Sequence, residues 1–342
     1  MKGLFDSMYK VVIPMAGFGT RMRPHTWSKA KPLIGLAGKT VLDYVVLQFK
    51  TLPEFENAEF VFIVGPHQLD QVKAYSEQNY PEKTIHFVVQ EEMRGQSDAL
   101  YQAREYLNGP MLMCFSDTLL KADFAFLKDE ADDGVAWVQP VPDPRRFGVA
   151  RVDGSNRVIE LIEKPEDVSN NLAVVGCYYF KNGEGLVSAI EEQVARNVTL
   201  KNEFFLVDAI NIMIERGSKM RTAKVEAWLD AGKPDAALET NRFYLSEGYD
   251  NSAEAEAAYP AAAIVPPVFI GPGAVIESSV IGPYVSIGEN CVLKNVVISD
   301  AIVEAQTKIE NKVLTASLIG KDVQIVGHAE KLNIGDNSWI QP

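Results

Sequence analysis

Between residue 9 and about residue 245 the chain alternates two kinds of apolar pattern. Short runs rich in β-branched and aromatic side chains, at residues 11–13, 60–64, 85–90 and 111–115, predict strands. Segments whose apolar positions recur with a helical period, at 41–50, 69–78 and 97–107, separate them and predict helices. That alternation is the pattern of a doubly wound, Rossmann-like α/β layer, which binds ligands at the carboxyl ends of its strands. Four more strand-like runs follow at 134–141, 148–152, 158–162 and 173–180, with few helices between them. They predict an antiparallel insertion placed over the sheet, a lid for a second substrate. Helices over 183–196, 205–216 and from 234 to about 248 complete the unit.

A different period begins further on. Residues 249–262 are a composition break and read as a linker. Beyond them the step Ile-Gly recurs at Ile270-Gly271, Ile281-Gly282, Ile287-Gly288 and Ile319-Gly320. Ile270 and Ile287, Ile276 and Leu293, and Ile281 and Ile298 are each 17 residues apart. A helix cannot make that period; a three-sided coil with one apolar residue pointing inward per side can. Glycine and asparagine at its corners suit turns that need positive φ. The expected domains are therefore 1–248, a linker at 249–262, a coil at 263–330 and a tail at 331–342.

At 342 residues the chain is too long for one ordinary core, in keeping with two domains. A net charge of −13 argues against nucleic-acid or anionic-membrane partners, which need a basic face. It leaves nucleotides open as ligands, because a phosphate site is local. No apolar stretch reaches membrane-spanning length and the first twenty residues lack a signal-peptide pattern. The three cysteines, Cys114, Cys177 and Cys291, are odd in number and set among apolar neighbours. They read as reduced, buried thiols of a cytoplasmic protein.

The chemistry concentrates after the first strand, in Pro14-Met15-Ala16-Gly17-Phe18-Gly19-Thr20-Arg21-Met22-Arg23-Pro24, with Lys31-Pro32 following. A strand emptying into a glycine loop, with cations at fixed reach behind it, is a device for holding a polyphosphate. Gly17 and Gly19 can take positive φ and bring backbone amides close to phosphate oxygens. Arg21 and Lys31 supply the charges a leaving diphosphate needs. The loop lacks the closing Gly-Lys-Ser/Thr of a Walker A motif and the third glycine of the dinucleotide fingerprint.

In its glycines, arginine, proline and spaced lysine the loop resembles the signature of the sugar-1-phosphate nucleotidylyltransferases, glucose-1-phosphate thymidylyltransferase among them. Met15 stands where that family has a small residue. The coil resembles the hexapeptide repeats of left-handed parallel β-helices, a tail that several of these enzymes carry. The resemblance implies transfer of a nucleotidyl group from a nucleoside triphosphate to a sugar-1-phosphate with loss of pyrophosphate. Ala16, Gly17, Gly19, Thr20 and Arg21 would hold the nucleotide's phosphates, and Gln90 and Gly95 its base. Arg21, Lys31 and Lys164 would be catalytic.

Such a transfer needs charge neutralisation and alignment, hence Mg²⁺, which favours one or two carboxylates. Asp117, ending the run Met111-Leu112-Met113-Cys114-Phe115-Ser116, and Asp230, in Ala227-Trp228-Leu229-Asp230-Ala231-Gly232, match the family's metal aspartates in context. Either could instead cap a turn. The same reading assigns the sugar phosphate to Arg146 and Gly148 in Asp143-Pro144-Arg145-Arg146-Phe147-Gly148, to Glu163 and Lys164 before Pro165, and to Gly176 and Glu203. Phe205 and Val207 depart from the family there by replacing polar residues.

The favoured substrates by resemblance are dTTP or UTP and glucose-1-phosphate, with guanylyl transfer to mannose-1-phosphate as the alternative. A non-catalytic sugar-nucleotide-binding subunit would have lost Arg21, Lys31 or an aspartate; all are present. Acyl transfer in the coil would depend on His328, since the four histidines form no cluster. Association of the chain with copies of itself is expected through the coil.

Overall fold

The computed structural model describes residues 8–328, 333–337 and 339. In chain order its first elements are β1 (Lys10–Pro14), β2 (Gly35–Leu36), β3 (Lys39–Thr40), α1 (Val41–Leu47), β4 (Glu59–Val64), α2 (Leu69–Asn79), β5 (Thr84–Val89) and α3 (Gln96–Gln102). Then come β6 (Met111–Cys114), β7 (Thr118–Lys121), β8 (Gly134–Pro140), β9 (Gly148–Val152), β10 (Val158–Glu163) and β11 (Leu172–Phe180). The helices α4 (Gly183–Ala195) and α5 (Leu206–Glu215), strands β12 (Met220–Lys224) and β13 (Ala227–Asp230), and helix α6 (Pro234–Tyr244) follow. The remainder comprises α7 (Ser252–Ala258), β14 (Ala263–Ile264), β15 (Val268–Ile270), β16 (Val275–Glu277), β17 (Val280–Ile281), β18 (Val285–Ile287), β19 (Val292–Val303), β20 (Lys308–Ile319) and β21 (Gln324–Val326).

The chain divides into two compact units, residues 1–34 with 40–236, and residues 35–39 with 237–342. The first is built on a nine-stranded sheet with the order β10-β9-β11-β6-β1-β4-β5, to which β8 and β12 add beside β11. Strands β6, β1, β4 and β5 are parallel, so their carboxyl ends open on one edge. Val12, Val61, Ile63 and Met113 of the sheet share a buried core with Leu100, Leu186, Ile190, Leu206 and Ile210 from α3, α4 and α5. Apolar positions at helical spacing thus end on one face, as the periodicity requires.

The expected lid is part of this sheet and not a layer over it. Strand β11 is nine residues long and changes partner along its length. Ala173 pairs with Val149 of β9, whereas Cys177 to Phe180 pair with β6. The switch falls at Gly176, whose φ of +83° and close approach to the Phe115 ring exclude a Cβ. The same register makes Cys114 and Cys177 direct cross-strand neighbours, both buried and free thiols. Strands β7, β12 and β13 were not legible from periodicity: β7 and β13 are four residues long with two or three apolar residues each, and Arg221 interrupts β12.

The second unit is a parallel β-helix. All three residue pairs expected at a spacing of 17 are in register: Ile270 with Ile287, Ile276 with Leu293, and Ile281 with Ile298. The later rungs are one residue shorter, for Ile298 pairs with Leu314 and Ile287 with Val303. The inward residues stack into a separate core with Ala255 of α7. Residues 249–262 are therefore not a bare linker. Asn251 bonds the backbone of Val268 and Ile270, and α7 packs on the coil. The unit boundary lies near residue 237, ahead of the expected 248, and part of the expected tail at 331–342 lies outside the described residues. No described helix is long and apolar enough to cross a membrane.

Residues 35–39 belong to this second unit through two buried side chains: Glu304 Oε1 accepts the Gly35 N–H at 3.2 Å, and Asn241 makes the larger set of bonds. Asn241 Oδ1 accepts the Ala37 N–H at 2.9 Å and the Ser286 hydroxyl at 2.7 Å, and its Nδ2 donates to the Tyr284 carbonyl at 3.3 Å. Asn241→Ala strands the Ala37 donor in the interior. It should lower the unfolding free energy of this unit by about 2 kcal/mol, read as an earlier denaturant midpoint. An unchanged midpoint would mean that this contact does not contribute.

Candidate active site

The cleft of 340 Å³ at the carboxyl ends of β1 and β6 is lined by the glycine loop, Arg21, Lys31, Asp117 and Gly232. The loop follows β1 directly. Of its two glycines only Gly19 takes a positive φ, +60°, where it opens a short 3₁₀ turn over Thr20–Met22. Thr26 pins it by donating to the Gly19 carbonyl at 2.8 Å. Gly17 does not use the left-handed region expected of it. A Cβ there would meet nothing within 4 Å, so no packing contact among the described residues requires a glycine at this position. Met15, the departure from the family pattern, is buried at 4 % exposure and accommodated in the core.

Asp117 stands just past β6, and β7 follows it, so it caps no helix. Strand β13 runs antiparallel to β7 with Asp230 opposite Thr118, and the Ala231 N–H donates to the Asp117 carbonyl at 3.1 Å. This ribbon carries Asp230 to Asp117. Gly232 completes the approach. A Cβ on it would sit 2.7 Å from Asp230 Oδ1, 3.1 Å from Asp117 Oδ2 and 3.3 Å from the Arg21 guanidinium. The two carboxylates and the arginine therefore surround a single point. Asp230 Oδ1 also accepts the Gly232 N–H at 2.6 Å, so the turn reading and the convergence hold together.

Lys31 Nζ bonds Asp117 Oδ2 directly, and the Arg21 guanidinium lies 3.8 Å from the same oxygen. Burial alone would push the Asp117 carboxyl up, but Lys31 and then Arg21 outweigh it and hold the group below the ordinary range. Asp230 goes the other way: burial and the Asp117 charge raise it, and the Gly232 amide and the same two cations offset this only in part. No group of three or more His, Cys, Asp or Glu side chains suited to a metal occurs among the described residues. The donor set here is two hard oxygens.

The expected base-reading loop lies two strands away. Gln90 follows β5 and is buried, with its Nε2 donating to Asp98 Oδ2 at 3.0 Å and to the Gly95 carbonyl at 3.3 Å. The Gln90 amide nitrogen is thus committed within the protein, leaving its carbonyl oxygen for a ligand. Asp98 also accepts from Arg94 at 2.6 Å, a contact invisible in the sequence until the loop is folded. Gly95 has φ of +114° and lies against the Phe204 backbone, where a Cβ would come within 2.6 Å. Ser97 does not cap α3; its hydroxyl donates to the Phe205 carbonyl.

The expected sugar-phosphate residues gather around β9 and β10. Glu163 faces Gly148 across the register, and a Cβ at Gly148 would sit 3.2 Å from Glu163 Oε2. Lys164 holds a positive φ of +47°, fixed by its N–H bond to the Phe147 carbonyl, with Nζ 3.5 Å from Glu163 and 4.5 Å above the Phe205 ring. Phe205, a departure from the family, is thus a seat for the lysine. Burial raises the Glu163 carboxyl; Lys164 lowers it, and the Asp208 and Glu203 charges add to the rise. Asp208, itself raised by burial, was passed over in the sequence as part of a helix. Arg145 takes the Asp143 carboxylate, and Arg146 is exposed, its charge adding to the pull that lowers Asp143. Gly176 stands at the partner switch of β11, against the Phe115 ring.

A parallel sheet closed by an antiparallel flank, with a glycine loop, two cations and two acids at its open edge, defines a nucleotide-handling transferase. Residues 10–247 match the Nucleotidyl transferase family, and the chain belongs to it. It is 27% identical to a glucose-1-phosphate thymidylyltransferase of Streptomyces griseus, over 97% of this chain and 99% of that one. Over 69% of its length it is 30% identical to the bifunctional protein GlmU of Methanocaldococcus jannaschii, covering 54% of that protein. In fold it is similar to a UDP-glucose pyrophosphorylase solved with UDP-glucose, with a TM-score of 0.59 and 20% identity over 70% of this chain and 99% of that one.

The opposed shifts make a stability prediction. A carboxyl raised in the folded state costs stability once it ionises, a cost absent below about pH 4 and present in full at neutral pH. Asp230→Asn should therefore raise the melting temperature at pH 7 and leave it unchanged near pH 3.5 (both about). A melting temperature that falls at neutral pH would show that Asp230 is not strained in the cleft.

Proposed function

We propose that this chain is a sugar-1-phosphate nucleotidylyltransferase. An oxygen of the sugar phosphate attacks the α-phosphorus of a nucleoside triphosphate, and the bond to pyrophosphate breaks. The convergence of Asp117, Asp230, Arg21 and Lys31 beside the glycine loop carries this reading. Two acids and two cations around one point suit a triphosphate carried with a divalent cation. The thymidylyltransferase relative, aligned along nearly the whole chain, supports dTTP and glucose-1-phosphate as the first pair to try, with UTP next. GTP with mannose-1-phosphate is the alternative pair.

In this reading Gly17 and Gly19 let the backbone approach the triphosphate, and Arg21 and Lys31 offset the charge that builds on the departing pyrophosphate. Lys164, held over Phe205, orients the incoming phosphate, and Glu163 with Glu203 accepts hydrogen bonds from sugar hydroxyls. Asp117 and Asp230 fit Mg²⁺, which takes one or two carboxylates and fills its shell with phosphates and water. When bound it would neutralise phosphate charge and align the groups.

Pyrophosphate release measured over a panel of nucleotides and sugar phosphates tests the proposal. Asp230→Asn should lower kcat by about 10²-fold or more while nucleotide affinity changes much less. Chelation should abolish turnover and Mg²⁺ restore it. A silent panel would reject the reaction, and an unaltered kcat would remove Asp230 from the metal site.

We also infer that the chain associates with copies of itself through the coil. Val280, Val297 and Val313 stand in register on successive rungs and are 36, 45 and 78% exposed. A continuous exposed valine stripe is costly in water and suits burial against the same stripe of another copy. Val313→Glu should lower the sedimentation mass of the protein; an unchanged mass rejects this face as the contact.

A further inference from the structure

One feature of the open edge has no part in the roles above. The strands β6, β1, β4 and β5 lie side by side and parallel. The loops leaving them therefore stand in a row, about 4.8 Å apart per strand. They carry, in order, Asp117, the glycine loop, His67 with Gln68, and Gln90. On the proposed function, a nucleotide with its phosphates at Asp117 and its base at Gln90 passes the loop after β4.

That loop grips the glycine loop. Gln68 is 2% exposed, and its Nε2 lies 2.7 Å from the Gly17 carbonyl, 3.5 Å from the Ala16 carbonyl and 2.9 Å from His67 Nε2. The Gly17 carbonyl can only accept, so the atom facing it must be the amide nitrogen, a donor. His67 Nε2 must then accept from the same nitrogen, which makes His67 neutral with its proton on Nδ1. Gln68 Oε1 is buried without a donor, so nothing holds the amide from its other end. Phe18, the exposed tip of the glycine loop, stacks on the imidazole at 4.5 Å and 13°. Gly65 leaves the room: a Cβ there would sit 2.6 Å from His67 Cε1 and 2.8 Å from the Ala16 carbonyl.

We propose that neutral His67 is a positioning residue for the nucleotide, holding the Gln68 amide on the glycine-loop carbonyls and Phe18 in place beside the nucleoside path. Protonation puts an N–H against the Gln68 amide N–H. The amide cannot turn over, because its oxygen would then meet the Gly17 carbonyl, and the clamp opens. Phe18, Gln68 and Gly65 lie beside the ring, none of them titratable or charged, and no charged group contributes to its shift. Partial burial already holds the imidazole below its ordinary value, while its exposed side leaves it open to protons. The inference rests on the proposed function for the identity of the ligand.

The test compares wild type, His67→Gln and His67→Ala from about pH 5 to about pH 8. KM is measured for dTTP and for glucose-1-phosphate, and dTTP affinity is measured separately by calorimetry. His67→Ala should weaken dTTP about fivefold at neutral pH with the sugar-phosphate KM unmoved, and the deficit should close in acid as wild type loses its own clamp. His67→Gln keeps an acceptor without a titrating ring. It should match wild type at neutral pH and lack the extra loss of dTTP affinity that wild type shows in acid. The triphosphate's own ionisation is common to all three proteins and cancels. Equal dTTP affinities for all three proteins across the range would overturn the role of His67. A wild type that binds dTTP but releases no pyrophosphate with any pair would overturn the proposed reaction, and the affinities would still judge His67.

Discussion

Two carboxylates cannot share a half-dry cleft unless something offsets their charge. Asp117 stays ionised because Lys31, itself only 12% exposed, bonds it and Arg21 stands behind. Asp230 shares these cations less fully and is held above its ordinary range. The site is thus left short of positive charge on one side and rich in it on the other. Positive charge brought to the Asp230 side would relieve the repulsion between the two carboxylates.

The remaining architecture sets where these groups stand. Parallel pairing of β6, β1, β4 and β5 puts four loops on one edge in a fixed order. The β7–β13 ribbon then returns a distant segment so that Asp230 meets Asp117. Close approaches are reserved for glycines. Gly232 lets both acids near one point, Gly95 lets the loop after β5 touch the Phe204 backbone, and Gly176 lets β11 leave β9 for β6. Each is a place where a methyl group would force the sheet or the site apart.

Much of this was legible along the chain. The strands bearing the glycine loop and Asp117, the helices at their backs and the 17-residue spacing of the coil all follow from local apolar periodicity. Such periodicity survives because each element buries one face. Less legible were β7 and β13, too short to show a period, and β12, whose apolar pattern is broken by Arg221. The lid-like strands were read as separate because antiparallel hairpins look alike whether they extend a sheet or cover it. Asp98, Asp208, His67 and Gln68 carried no motif: each is defined by what lies against it, and those neighbours are remote in sequence.

The amino-acid order by itself determined the parallel strands of the first sheet, where the glycine loop begins, and that a stacked coil follows. These are matters of spacing between near neighbours along one chain. Only the tertiary structure decided that Asp117 and Asp230 converge, that Lys31 settles on the former, and that Gln68 clamps the glycine loop. Charge and hydrogen bonding act over a few ångströms in space, so residues far apart in the chain acquire their protonation and orientation only when the sheet has brought them together.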